Sequence, residues 1–203
     1  SLVLTIPEGS RIRPGERLLV SGYRAHYMKA GFQVNTCMSE PKLYELFERS
    51  ARSLNDAVHP KTWFLPEDEI RAAGTCAACE KLNKPMPDMF GDCVTRMCET
   101  IRKVAPGARI YMWGDQLDPN MNGKGQNYLC KGSFEGAIDK VPRDLVLMHW
   151  GPKVPETLAY FRGHGFGTGR SIADFDGPWS DRMDGIARKN VEWVRQDPSC
   201  DTI

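Results

Sequence analysis

The sequence predicts an α/β fold, a (β/α)8 barrel of the TIM type that is incomplete at its N-terminus. Three observations point there. Short apolar runs alternate with amphipathic helical stretches over most of the chain, the pattern of βαβ units and a parallel sheet. No glycine-rich phosphate loop directly follows a strand, as an open doubly wound nucleotide fold would require. The chain has 203 residues, against about 250 for a whole barrel.

In chain order, residues 2–6, 17–23 and 32–38 read as strands, with Pro14-Gly15 as a turn between the first two. Residues 1–38 thus form a strand-rich opening segment, and residues 39–203 the βα units of a single barrel domain. Ser39 is the expected N-cap of a first helix with Pro41 in its first turn. Leu43, Leu46, Phe47, Ala51, Leu54 and Val58 recur at spacings of three and four, and His59-Pro60 ends the run. A strand is expected at residues 62–65. The next helix follows Pro87, with Phe90, Val94, Met97, Ile101 and Val104 on one face and Pro106-Gly107 as its stop.

Residues 109–113 and 145–150 read as further strands, separated by an Asn/Gly loop at 120–127 and a short helix near 134–138. Pro155 opens a helix through Leu158 and Phe161. The glycines between Gly163 and Gly169 read as its C-cap and turn, followed by a strand at 170–173 and a last helix at 180–194.

Composition narrows the function. Apolar residues at 41% and charged residues at 26% belong to an ordinary globular domain. A net charge of +1 without a polybasic run gives nucleic acid nothing to hold, so no nucleic-acid partner is expected. No apolar stretch nears the roughly 20 residues that span a bilayer, so no membrane partner is expected either. The chain opens at Ser1 with no signal peptide, which fits a truncated N-terminus. Seven cysteines, an odd number, do not read as a secreted disulfide framework and favour a reduced, cytoplasmic compartment. No cofactor is called for.

The residues just past each strand are informative. Glu67-Asp68-Glu69 succeeds the first βα strand, Gly114-Asp115 and Asp118 the second, His149-Trp150 the third, and Asp174, Asp176 and Trp179 the last. In a parallel α/β fold these exits share one rim, where active sites form. Each residue also has a plain reading: Asp68-Glu69 as a solvated helix start, Asp115 and Asp118 as turn residues, Trp150 as core, Asp174 and Asp176 as flanks of a Gly-Pro turn. Recurrence at four exits favours a carbohydrate site, with indole faces stacking on sugar rings and carboxylates bonding hydroxyls.

Cys76-x-x-Cys79 reads as a structural thiol pair ahead of metal ligation, because zinc needs four ligands and no second half-site has matching spacing. Cys37 or a histidine would have to complete a metal site. Redox chemistry ranks last, since the pair is not expected to sit at the start of a helix in a thioredoxin-like pattern. No Gly-x-Ser-x-Gly or HExxH motif occurs.

At Trp63-Phe64-Leu65-Pro66-Glu67-Asp68-Glu69 the chain resembles the catalytic barrel of glycoside hydrolase family 20, the β-N-acetylhexosaminidases, over roughly residues 32–193. The stretches around Trp113 and Trp150 look like that family's later tryptophan-bearing strands. The resemblance implies Glu69 as the general acid. It implies Asp68 as the group orienting the substrate's own acetamido carbonyl, which attacks the anomeric carbon; this is an exception to the two-carboxylate scheme. Glu67, Trp113, Asp115, His149, Trp150, Asp174 and Trp179 would contact the sugar. Tyr111 and Tyr128 are both candidates for the family's acetamido-binding tyrosine. Pro66-Glu67 departs from the small or histidine residues usual there and adds a third carboxylate. The alternatives are a non-catalytic carbohydrate-binding barrel and a zinc module built on the CxxC pair.

Overall fold

The computed structural model describes residues 5–18, 35–151, 153–170 and 200–202. The chain is a mixed α/β protein with two parallel sheets. Helix α1 (Pro41–Val58) leads into strand β1 (Thr62–Phe64), followed by β2 (Ala72–Ala73), α2 (Ala77–Leu82) and α3 (Met86–Val104). Strands β3 (Arg109–Trp113), β4 (Leu129–Cys130) and β5 (Val146–His149) come next, then α4 (Val154–Gly163), β6 (Gly167–Arg170) and β7 (Cys200–Thr202). The larger sheet has the order β1-β3-β5-β6-β7, every pairing parallel, and β2 pairs with β4 beside it. Among the described strands the order across the sheet follows the chain, without a reversal.

Helix boundaries lie where local chemistry puts them. Glu40, not Ser39, caps α1, its side chain accepting from the Lys42 amide at 3.2 Å. The Ser39 hydroxyl instead donates to sulfur, on Cys79. His59 closes the helix in the left-handed region at φ 46°. Helix α3 carries Pro87 in its first turn and stops at Val104, just before Pro106-Gly107. Its buried face (Phe90, Val94, Met97 and Ile101) packs with Trp63, Leu65, Ile110, Met112 and Leu147 of the sheet in the main core. On α1 only part of the expected apolar face is covered: Ala51 is buried, whereas Leu46, Leu54 and Val58 are exposed.

The opposite face of the sheet holds a smaller cluster of Tyr111, Val146 and Met148, with Trp113 against it. Residues 5–18 and 35–38 carry no strand, and Pro14-Gly15 forms the expected turn. The short helix expected near 134–138 is a single 3-10 turn, Ala137–Asp139. Strand β6 begins at Gly167, inside the glycine run read as a turn, because Gly167 lies against Val146: a Cβ there would stand 3.3 Å from Val146 Cγ2. Most of the strand expected at 170–173 and the helix expected at 180–194 lie outside the described residues. Among the described residues no helix is long and apolar enough to cross a membrane.

Gly91 tests the packing of α3. In an open helix, alanine in place of glycine is favourable by roughly 1 kcal/mol. Here a Cβ would meet Lys140 Cβ at 2.5 Å and its carbonyl oxygen at 2.8 Å. Gly91→Ala should therefore lower stability by about 1–3 kcal/mol, read as a lower denaturant midpoint at unchanged slope.

Candidate active site

Three neighbouring strands deliver their exits side by side. Phe64 pairs with Tyr111, and Trp113 with Met148. The ladder runs one residue further at each step: the Leu65 amide donates to the Tyr111 carbonyl, and the Gly114 amide to the Met148 carbonyl, both at 2.8 Å. The segments leaving β1, β3 and β5 therefore start from one level.

Beyond β1 the alternation that buries Trp63 and Leu65 also buries Glu67. Its carboxylate reaches α3, where the Cys93 thiol lies 3.8 Å from Oε1 and Oε2 has no partner among the described residues. Burial pushes the Glu67 carboxyl up to about 7, with the Cys93 contact opposing. Glu67 and Asp68 line a cleft of about 360 Å³ whose other walls include Met38, Leu43, Phe47 and Met97. Asp68 is also held above the usual carboxylate range, first by burial and then by the Glu69 charge, with Arg71 opposing.

Glu69 has a left-handed backbone, φ 40°. Four non-glycine residues do so among those described, and two of them, His59 and Asn83, are helix C-caps. The other two, Glu69 and Tyr128, flank Arg71. The Arg71 guanidinium lies 2.5 Å from Glu69 Oε2 and sits over the Tyr128 ring at 5.0 Å. Strain of this kind persists where surrounding contacts over-determine it, and such places are often functional.

Asp115 opens the segment after β3 and is 1% exposed. Its Oδ2 accepts from Asn122 Nδ2 at 2.8 Å, Gln116 Nε2 at 3.1 Å and the Glu69 amide at 3.2 Å. Oδ1 is buried with no partner among the described residues, as is Oε1 of the adjoining Gln116. Burial raises the Asp115 carboxyl to about 6; the Asn122 and Gln116 bonds oppose, and the Asp68 charge adds to the rise. Asp118, by contrast, has its carboxylate taken up by structure. It accepts from Thr157 Oγ1 at 2.6 Å and from the Asn120 amide and side chain at 2.8 and 3.0 Å, which is the expected turn role.

His149, at the end of β5, is buried with Nδ1 3.9 Å from Asp118 Oδ2. Trp150 is partly buried, and its indole N–H has no acceptor among the described residues. Trp113 packs on Phe64, ring centroids 5.0 Å apart. The structure thus brings Asp68, Glu69 and Asp115 into one cluster, turns Glu67 towards α3, and sets His149 beside Asp118. Asp174 and Trp179 lie outside the described residues. Sequence reasoning missed Arg71, Gln116 and Asn122; Tyr128, named there as a candidate acetamido-binding tyrosine, has the Arg71 guanidinium over its ring. Arg71 had a signal, an acid-x-base spacing from Glu69; Asn122 had none, because only the folded return of its loop brings it back to Asp115.

Cys76 and Cys79 are not a pair alone: Cys37 joins them. Cys76 also stands at the N-cap of α2, so the CxxC does open a helix, contrary to the expectation from sequence.

No family model matches the chain, and no curated protein matches it. Fold and site define an α/β protein with acidic residues gathered at the exits of adjoining parallel strands.

Glu67 makes a stability prediction. A carboxyl raised from 4.5 to about 7 on folding favours the folded state while protonated. That contribution is complete below about pH 4.5 and is lost as pH rises through 7. Glu67→Gln should leave stability unchanged at pH 4 and raise it by up to about 3 kcal/mol at pH 8, measured by denaturant unfolding at both pH values.

Proposed function

We propose that this chain is a glycoside hydrolase acting on N-acetylhexosamine-type glycans, and that its sheet is a run of consecutive strands from a (β/α)8 barrel. The order of strands supports the barrel, since doubly wound sheets reverse direction at a switch point and this one does not among the described strands. The observation that carries the functional reading is the bond from the Glu69 amide to Asp115 Oδ2. It joins the acids of two strand exits into one cluster, with a buried carboxylate oxygen and amide oxygen that have no partner among the described residues. Acceptors in that state suit the hydroxyl donors of a sugar.

In this reading Asp68 accepts the N–H of the substrate's acetamido group and directs its carbonyl oxygen at the anomeric carbon. Once the sugar displaces Arg71, Glu69 acts as the general acid and donates its proton to the glycosidic oxygen as the bond to the anomeric carbon breaks. The acetamido oxygen forms the new bond, giving a bicyclic intermediate. Water then adds at the anomeric carbon while Glu69 takes its proton, which regenerates the acetamido group. Asp115, through the Glu69 amide, fixes the turn that aims the acid. Asn122 and Gln116 hold Asp115 in turn.

The Glu69–Arg71 ion pair favours one other reading, a carbohydrate-binding barrel without turnover, because the pair engages the carboxylate the chemistry needs. Turnover separates the two. Glu69→Gln should cut release of a chromogenic aglycone from an N-acetylhexosaminide by about 10²–10⁴-fold, while calorimetric titration with the sugar shows binding retained. A wild-type protein that binds the sugar but releases no aglycone would establish the binding barrel. Unchanged turnover in the mutant would remove Glu69 from the acid role.

A further inference from the structure

Three sulfurs from two distant segments of the chain meet in one triangle. Cys37 Sγ lies 3.2 Å from Cys76 Sγ and 3.5 Å from Cys79 Sγ, and Cys76 Sγ lies 3.5 Å from Cys79 Sγ. A disulfide would bring one pair to about 2.05 Å and leave the third thiol out. Three nearly equal separations instead fit one shared ion. Zinc–sulfur bonds of about 2.3 Å in a tetrahedron put sulfurs about 3.8 Å apart, so the triangle needs to open by only a few tenths of an ångström.

Cys76 stands at the N-cap of α2. The Ser39 hydroxyl donates to Cys79 Sγ at 3.3 Å, a bond of the kind that orients a metal ligand from outside the coordination shell. Burial is graded around the site: Cys79 is buried, Cys37 intermediate and Cys76 exposed.

We propose that Cys37, Cys76 and Cys79 bind one zinc ion as thiolates, with water as the fourth ligand. Among the described residues no fourth cysteine, histidine or carboxylate joins the group, and exposure at Cys76 gives water access. Binding releases the three thiol protons to solvent, and no oxidation is involved.

The ion clasps two segments 39 residues apart. Next to it, Asn35 Oδ1 accepts from the Arg71 and Ala72 amides, both at 3.2 Å. The bound ion therefore holds the segment before α1 against the backbone of Arg71, the partner of Glu69. This site stands whether or not the acidic cluster cleaves glycans, and its readouts do not involve glycans.

The test uses the full chain, purified reduced, with metal content measured by plasma mass spectrometry and Zn²⁺ or Co²⁺ added to metal-free samples. One equivalent should bind. The Co²⁺ form should show thiolate-to-metal charge transfer and the d–d bands of a tetrahedral site. Cys37→Ser and Cys76→Ser should each lower zinc affinity at least about tenfold, while Cys130→Ser, outside the triangle, keeps it. Chelation should lower the unfolding temperature of the wild type and leave that of Cys37→Ser unchanged, a measurement that holds even where a variant folds poorly. Failure to bind either ion, a cobalt spectrum lacking sulfur ligation, or a Cys37–Cys76 disulfide found by mass spectrometry without reduction would overturn the proposal.

Discussion

Parallel hydrogen bonding between β1, β3 and β5 is the constraint from which the candidate site arises. The amides of Leu65 and Gly114 continue the ladder past the paired residues. The chain therefore turns out of adjoining strands at the same height, and whatever residues come next are neighbours. Acids at positions 67–69 and at 115 are far apart in sequence, yet the Glu69 amide reaches Asp115 Oδ2. Close packing keeps this geometry. A Cβ at Gly114 would stand 2.5 Å from the Phe161 ring, so glycine there lets α4 close over the β3 exit. Gly123 does the same for the loop, since a Cβ would lie 2.8 Å from the Asp118 backbone.

That crowding separates four carboxylates into different chemical roles. Asp118 has donors on both oxygens and works as a fastener between the loop and α4. Glu67 continues the buried side of β1 into the core, where a thiol is a poor donor and desolvation dominates. Asp115 is equally buried yet accepts three N–H bonds on one oxygen and none, among the described residues, on the other. It therefore titrates within reach of neutral pH and keeps an acceptor to offer. Glu69 stays partly open and pairs with a guanidinium. Environments that push neighbouring acids apart in this way distinguish a site from a mere solvated patch.

Much of the frame was legible because prolines and glycines punctuate it. Pro41, His59-Pro60, Pro87 and Pro106-Gly107 bound α1 and α3 to within a residue or two, and β3 falls at 109–113 as expected. What escaped was short or non-local. Strands β2 and β4 are two residues each, too brief for any alternation to register, and exist because the Leu129 and Lys131 amides find the Arg71 and Ala73 carbonyls. The sequence pattern displaces β6 because glycines usually mark turns, whereas here they let two strands approach. At the site, the acids of β1 and β3 could be read from position after a strand. The Asn122 side chain that tunes Asp115 could not, because it arrives on a returning loop. Cys37 could be named only as one way to complete a metal site; that it, and not a histidine, meets Cys76 depends on a contact across 39 residues. Sequence periodicity reports which face a side chain takes, not which distant loop folds over it.

The segment from Ile70 to Ala73 shows how strain at Glu69 is sustained. Asn127 Nδ2 and the Cys130 thiol both donate to the Ile70 carbonyl. Asn35 takes the next two amides, and β4 takes the Arg71 and Ala73 carbonyls. With each succeeding residue fastened, and Asp115 gripping the Glu69 amide itself, the chain cannot relax its left-handed turn without breaking several bonds at once. A residue in that conformation costs of order 1–3 kcal/mol, which these seven bonds, at about 1 kcal/mol each, readily offset. The Glu69 side chain takes no part in these bonds and has Arg71 as its partner. A ligand that competes for Arg71 would therefore redirect a carboxylate while the backbone beneath it stays fixed, which is the preorganisation that the acid role proposed for Glu69 would need.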